Sequence, residues 1–192
     1  FYQPIQRLQP RAVMAIMGED VRWVGNEKGL GRATEWSATV LTPGIYTRSQ
    51  ENNNRLGVFG KAEDLGSRKI LEKATELFWY PSEVDESIRP GSIYHLEEDS
   101  KVKSLKNMDI YVQSDGYNSV LLLYIPPDRR GVIIEADVQR LNEFAVYRER
   151  VFASNKVVNG RKYWNATFGS EKVYSLKPNA EINVVMLQED IT

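Results

Sequence analysis

The sequence predicts a parallel α/β domain followed by the start of an all-β domain. Two runs, 12–17 and 120–125, are apolar on both faces and are typical of buried parallel strands that alternate with helices. Towards the C-terminus the pattern changes to short runs separated by turn residues, as in β-sheet domains. We therefore place a domain boundary within 147–154, with one domain at 1–150 and the second at 151–192.

The elements of the first domain follow from apolar periodicity and from turn residues. Apolar residues recur at helical spacing in four segments, which are 1–8, 63–78, 101–114 and 135–150. Two further segments are predicted to be extended, and they are 79–88 and 93–95. Pro126 and Pro127 end the second buried strand, because proline has no N–H to donate to a strand ladder.

The second domain has the turn signals of short antiparallel strands. Asn159-Gly160 favours a tight turn, so a hairpin is predicted at 157–161. Further strands are predicted at 172–176 and 181–187, and the turn residues Pro178-Asn179 separate them.

The composition excludes several classes of function. The chain has 192 residues, of which 42% are hydrophobic and 27% are charged, the balance of a globular protein with a core. The net charge of −1, without a clustered basic excess, gives no indication of a nucleic-acid partner. No apolar run is long enough to span a membrane. The absence of Cys and the single His exclude thiolate and multi-histidine metal sites, and no glycine-rich cofactor loop is present.

A long polar loop, 19–44, follows the first buried strand and is the first candidate for a functional site. It combines two indoles, Trp23 and Trp36, with the carboxylates of Glu27 and Glu35. Sugar-binding sites use this mixture, because aromatic faces cover the apolar C–H patches of a ring while acids transfer protons. An ordinary polar loop with two anchoring tryptophans is the alternative, and composition alone favours it.

His95, the only imidazole of the chain, is the second candidate. An imidazole can act as a base, as a hydrogen-bond partner of a sugar hydroxyl or as a structural residue. Without further context the structural role is favoured.

Five groups of residues occur in a characteristic order: Val21–Glu27; Thr34–Ser37; Ser87–Gly91 with Tyr94-His95; Val102–Leu105; and Asn118–Leu123 with Pro126–Asp128 and Gly131. In this order they resemble the family 29 glycoside hydrolases, which are α-L-fucosidases. The resemblance covers nearly the whole chain and is strongest to the bacterial subgroup that acts on α-1,3/1,4-linked fucose. It implies retaining hydrolysis of terminal L-fucose from a fucosylated oligosaccharide or glycoprotein glycan, in a periplasmic or secreted parent protein.

The resemblance also implies a fold. Relatives have a (β/α)8-like, TIM-type catalytic barrel followed by a β-sandwich. On this basis 1–150 is expected to be the C-terminal half of the barrel, about strands five to eight, and 151–192 the beginning of the sandwich. The nucleophilic Asp of the family lies in a Trp-Phe-Asp-Gly type motif that this sequence lacks, so it is expected upstream and the isolated chain is expected to be inactive.

Residue roles come from the same resemblance. Glu27, in Val-Gly-Asn-Glu, is expected to be the general acid/base, and a retaining enzyme needs such an acid roughly 5 Å from an ionised nucleophile. Trp23, Trp36, Glu35 and His95 are expected to contact substrate. No metal and no cofactor are implied.

Several positions depart from the family pattern. Ser92 stands where relatives have Trp, Ala33 where they have Glu, Tyr124 where they have Asn and Ile134 where they have His. These departures favour a second hypothesis, a non-catalytic carbohydrate-binding or pseudoenzyme fragment. A third hypothesis is a structural remnant without a function of its own.

Overall fold

The fold was analysed in a computed structural model, which describes residues 2–15, 20–26, 29–53, 64–65, 68–72, 74–105, 109–158 and 164–187. The chain divides into two units, Phe1–Phe144 and Ala145–Thr192.

The described elements are short, apart from one long helix. The helices are α1 (Tyr2–Leu8), α2 (Arg48–Asn53), α3 (Arg68–Leu71), α4 (Asp109–Ser114) and α5 (Glu135–Phe152), with 3₁₀ turns at Leu96–Lys101 and Asp115–Tyr117. The strands are β1 (Arg22–Trp23), β2 (Ala38–Thr39), β3 (Phe78–Trp79), β4 (Ser82–Ser87), β5 (Ser119–Tyr124), β6 (Val157–Val158) and β7 (Ser175–Leu176). Helix α1 and helix α5 lie where the apolar periodicity predicts them.

A three-stranded parallel sheet organises the first unit. Its strand order is β1-β4-β5, so β4 lies in the centre and pairs with both neighbours. Six residue pairs join β4 to β5, from Ser82 opposite Ser119 to Ser87 opposite Tyr124. Parallel strands need long crossover connections, and the chain between these two strands supplies α4. The predicted α/β architecture is therefore confirmed, including the extended segment at 79–88.

One face of this sheet is buried. The parallel register places side chains of paired residues on the same face, and successive residues point to opposite faces. The buried face carries Arg22, Val24, Ser82, Val84 and Ser119. Ser82 Oγ and Ser119 Oγ share a hydrogen bond of 2.5 Å, which satisfies two hydroxyls away from solvent.

The opposite face shows that the prediction of two-sided burial for 120–125 is wrong within the described residues. Val120 is 52% exposed, and Leu122 and Tyr124 are each 44% exposed. These side chains alternate with those of Ser119 and Leu121, so only one side of β5 is covered by the described part of the chain.

The predicted helix at 63–78 is wrong over its last residues. Helix α3 is limited to Arg68–Leu71, and the chain is extended again at Phe78–Trp79. The reason is a pairing that is distant in sequence: β3 pairs with β2, and the buried Tyr80 donates its N–H to Ser37 O at 2.7 Å. Tyr80 also packs against Leu65 in the small apolar core.

The predicted helix at 101–114 is wrong in its first half. The backbone N–H of Lys103 donates to Ile88 O at 2.7 Å, which holds this stretch beside the end of β4. The predicted strand at 12–17 is also wrong for its described part, because 12–15 has no regular structure and Val13 is 69% exposed. Ile16 and Met17 lie outside the described residues.

The second unit contains the end of α5 and a two-stranded antiparallel ladder. Val157 pairs with Leu176 and Val158 with Ser175. The turn residues Asn159 and Gly160 of the predicted hairpin lie outside the described residues. The segment 181–187, predicted as a strand, has no ladder, and its apolar side chains are exposed. Among the described residues, no helix is long and apolar enough to cross a membrane.

Candidate functional site

Arg22, at the start of the candidate loop, is the centre of a buried polar network. Its side chain is fully buried, and its Nη2 forms an ion pair with Glu35 Oε1. The same nitrogen donates to Trp36 O at 2.8 Å, and Nε donates to Tyr80 O at 2.8 Å. Burial lowers the pKa of Arg22, while the Glu35 carboxylate acts in the opposite direction. One guanidinium thus joins β1, the tryptophan segment and Tyr80 in the link between β3 and β4.

Glu35 is enclosed by two arginines. Its Oε2 forms an ion pair of 3.0 Å with Arg32 Nη1, and its side chain has no exposed surface. The backbone N–H of Arg32 donates to the same oxygen at 3.4 Å. The structure therefore gives Glu35 a bracing role in the loop. Direct contact with a substrate would require this carboxylate to leave both arginines, a costly step for a buried charge.

Asn118 ties the same segment to the start of β5. It has a left-handed backbone (φ 61°), and its Nδ2 donates to Glu35 O at 3.2 Å and to Ser37 Oγ at 3.5 Å. Asparagine tolerates this backbone conformation better than other non-glycine residues. The braced segment Glu35–Ser37 carries Trp36, a residue that remains 38% exposed.

Trp23 lies on β1 and points to the partly open face of the sheet. Its Nε1 donates to Asp85 Oδ1 at 3.1 Å, across the pairing of β1 with β4. Trp23 is half-buried, so part of its ring is accessible while its polar edge is held. An indole fixed in this way provides the flat apolar surface that a sugar ring needs.

Glu83 is a buried carboxyl beside this tryptophan. It pairs in register with Trp23, is 4% exposed, and its Oε1 has no hydrogen-bond partner in the described part of the chain. Burial raises the pKa of Glu83, and the nearby charge of Asp85 raises it further. Glu83 and Asp85 were not among the predicted site residues, although their spacing of two on a strand signals a shared face.

Glu27, the predicted acid/base, lies outside the described residues. The described residues around it are held firmly: Asn26 Nδ2 donates to Leu30 O at 2.9 Å. Gly29 is buried with φ of +70°, and a Cβ there would clash with the Glu86 carboxylate, which also pairs with Lys103. The positive φ favours glycine at this position next to β4.

His95 belongs to a different segment, which a second buried arginine holds. Arg89 forms two hydrogen bonds with Asp137 at the start of α5, of 3.0 and 2.9 Å, and an ion pair of 2.9 Å with Asp99. Its guanidinium lies 4.9 Å from the centre of the Tyr94 ring. The hydrogen bonds to Asp137 raise the pKa of Arg89, so its charge is secure.

The side chain of His95 is exposed. About half of its surface (53%) is accessible, and its Nδ1 lies 4.0 Å from Glu97 Oε1. Its backbone is extended and its carbonyl accepts a hydrogen bond from Glu98, 3.1 Å long. The imidazole is therefore free to meet a ligand, but the structure does not bring it into the network of Arg22.

The described residues contain no group of three or more His, Asp or Glu side chains placed to hold a metal ion. The described side chains of the two networks offer carboxylates, indoles and guanidinium groups. This set binds and orients polyhydroxylated ligands through C–H contacts and hydrogen bonds.

The proteins to which this chain is similar carry the names of α-L-fucosidases or of glycoside hydrolase family 29. No protein-family model matches the chain. Alpha-L-fucosidase 1 of Arabidopsis thaliana is 34% identical over 156 residues, which are 81% of this chain and 28% of that protein. The crystal structure of a candidate α-L-fucosidase from Bacteroides ovatus is 78% identical, with a TM-score of 0.80 over 92% of this chain and 31% of that one. A glycoside hydrolase 29 family member from an unknown rumen bacterium is 32% identical, with a TM-score of 0.58 over 86% of this chain and 27% of that one. The chain thus spans about a third or less of each of these three relatives.

Proposed function

We propose, from the relationship of this chain to the glycoside hydrolase family 29 α-L-fucosidases, that it forms part of the active site of a bacterial retaining fucosidase. The parent enzyme would release terminal L-fucose, in α-1,3 or α-1,4 linkage, from glycans. The observation that carries this proposal is the braced tryptophan loop. Arg22 and Asn118 fix the backbone beside Trp36, and Asp85 holds the indole of Trp23. These two tryptophans flank Glu27 in the sequence.

In this proposal Glu27 is the general acid/base. It protonates the glycosidic oxygen as the bond to the anomeric carbon breaks, and it later removes a proton from the attacking water. The nucleophile is an Asp on a part of the parent enzyme that this sequence does not contain, and the first unit is part of the barrel wall. His95 contacts a sugar hydroxyl through its exposed imidazole.

The substitution E27Q in the parent enzyme tests the role of Glu27. Removing a general acid is expected to lower turnover of a substrate with a poor leaving group by about 10²–10⁴-fold. An aryl α-L-fucoside with an acidic phenol needs less protonation, so its first step should be affected less. Azide, which needs no general base, should then restore turnover and give fucosyl azide. The measurement is kcat on both substrates, with and without azide.

The control is E149Q, which makes the same change at an exposed carboxylate of α5. E149Q should keep the kcat of the parent enzyme on both substrates. Equal kcat for E27Q and E149Q would overturn the assignment of Glu27.

A second candidate function is favoured by the departures from the family pattern. Ser92 is exposed where relatives carry an aromatic ring, and Tyr124 replaces an amide. A protein that keeps its sugar-binding surface without catalysis would show this pattern. Isothermal calorimetry with fucose and fucosylated trisaccharides distinguishes the two: binding by the parent protein without any turnover supports the second function.

A further inference from the structure

We propose that Asp85 is a positioning residue, which holds the Trp23 indole as a rigid platform for the sugar. The inference rests on the proposed function for the identity of the ligand. The positioning itself rests on the geometry of the sheet.

The first step is the contact between the two side chains. The indole N–H of Trp23 donates to Asp85 Oδ1 at 3.1 Å, and the two residues lie on adjacent parallel strands. A hydrogen bond to a carboxylate is stronger than one between neutral groups. Because both residues are only half-buried, without this bond the indole could rotate on its side-chain torsions.

The second step is the neighbouring acid. Glu83 faces the same side of β4 as Asp85, is almost fully buried, and its Oε1 has no partner among the described residues. Two ionised carboxylates so placed would repel each other. Burial raises the pKa of Glu83, and the nearby charge of Asp85 raises it further, so protonation of Glu83 relieves this repulsion while Asp85 Oδ1 accepts from the indole.

The third step is the position of this pair relative to the loop. Trp23 directly follows Arg22, whose guanidinium fixes the backbone of Trp36. Asp85 thus fixes the indole edge of Trp23, and Arg22, the preceding residue of β1, fixes the backbone of Trp36. A platform that is already ordered before binding loses less conformational entropy when a ligand arrives.

The experiment compares D85A, D85N and W23F in the full chain. The ¹⁵N-labelled indole signals are recorded by NMR, and the signal lost in W23F identifies Trp23. In D85A this signal is expected to move upfield and its N–H to exchange faster with water. In D85N, which keeps an oxygen acceptor, the change should be smaller. An unchanged Trp23 signal in D85A would overturn the inference.

The ligand arm measures the affinity for L-fucose by titration of the same variants. D85A should weaken binding about tenfold, equivalent to ~1.4 kcal/mol, and W23F should weaken it by a similar factor, whereas D85N should weaken it less. D109A, which removes an exposed carboxylate from α4, is the control and should leave both the indole signal and the affinity unchanged.

The two arms separate the failure of this inference from failure of the proposed function. If the chain binds fucose and W23F weakens binding while D85A does not, the role of Asp85 is refuted and the proposed function stands. If the wild-type chain and the parent enzyme both fail to bind fucose, the proposed function fails together with the ligand part of this inference. The indole signal still decides whether Asp85 positions Trp23.

Discussion

At the scale of single residues, the Glu83 carboxyl is buried in the sheet with an oxygen that lacks a partner among the described residues, and its pKa is raised. As pH rises above about 4, an unfolded Glu releases its proton, whereas the folded Glu83, with its raised pKa, releases its proton only at a higher pH. The folded state therefore binds more protons, and the contribution of Glu83 to the free energy of unfolding falls as pH rises through this range.

The substitution E83Q removes this titration. The expected result is that the urea midpoint of E83Q falls less between pH 4 and pH 7 than that of the wild-type chain. The exposed E97Q is the matched control and should follow the wild-type profile. A profile of E83Q that is parallel to the wild-type profile would contradict the role assigned to the buried carboxyl.

At the scale of elements, the Arg22–Glu35 pair connects β1 to the tryptophan segment with both side chains fully buried. Removing one partner leaves a buried charge without compensation, so E35A is expected to lower the free energy of unfolding by about 3–5 kcal/mol. E143A removes the partner of Arg140 from a partly exposed pair on α5 and should cost about 1 kcal/mol or less. Urea denaturation followed by tryptophan fluorescence measures both.

E35Q provides the second measurement, because E35A could leave too little folded protein for a denaturation curve. Glutamine keeps an oxygen that accepts from Arg22, so E35Q should lie between the wild-type chain and E35A. If E35A is no less stable than E143A, the buried network does not hold the loop.

Elements with a strong local signal were predictable, and those set by distant pairing were not. Helix α5 is predictable because apolar residues recur at helical spacing along its length, and β5 because six strand-forming residues follow one another directly. The helix predicted at 63–78 was overruled by the pairing of β3 with β2, which no local pattern reveals. In the candidate site, contacts between distant residues were likewise not predictable. Composition points to the two tryptophans, but the hydrogen bond from Asn118 to Glu35 O joins residues that are 83 positions apart.

At the scale of the whole molecule, retaining hydrolysis requires two carboxyl groups on opposite sides of the anomeric carbon, and the two must belong to one active site. In the proposed function this chain contributes Glu27 and the indole surfaces, while the nucleophile belongs to another part of the parent enzyme. One carboxylate cannot both attack the anomeric carbon and protonate the leaving oxygen. The chain on its own is therefore expected to bind a fucoside without cleaving it.

The measurement is release of the phenol from an aryl α-L-fucoside by the purified chain, with the parent enzyme as the positive control. The chain should give the same rate as buffer, whereas the parent enzyme should turn the substrate over. The E27Q chain, purified in parallel, distinguishes true activity from a contaminating fucosidase, because a contaminant would appear equally in both preparations. Turnover by the wild-type chain that disappears in E27Q would place both carboxylates within these 192 residues and refute the proposed division of the active site.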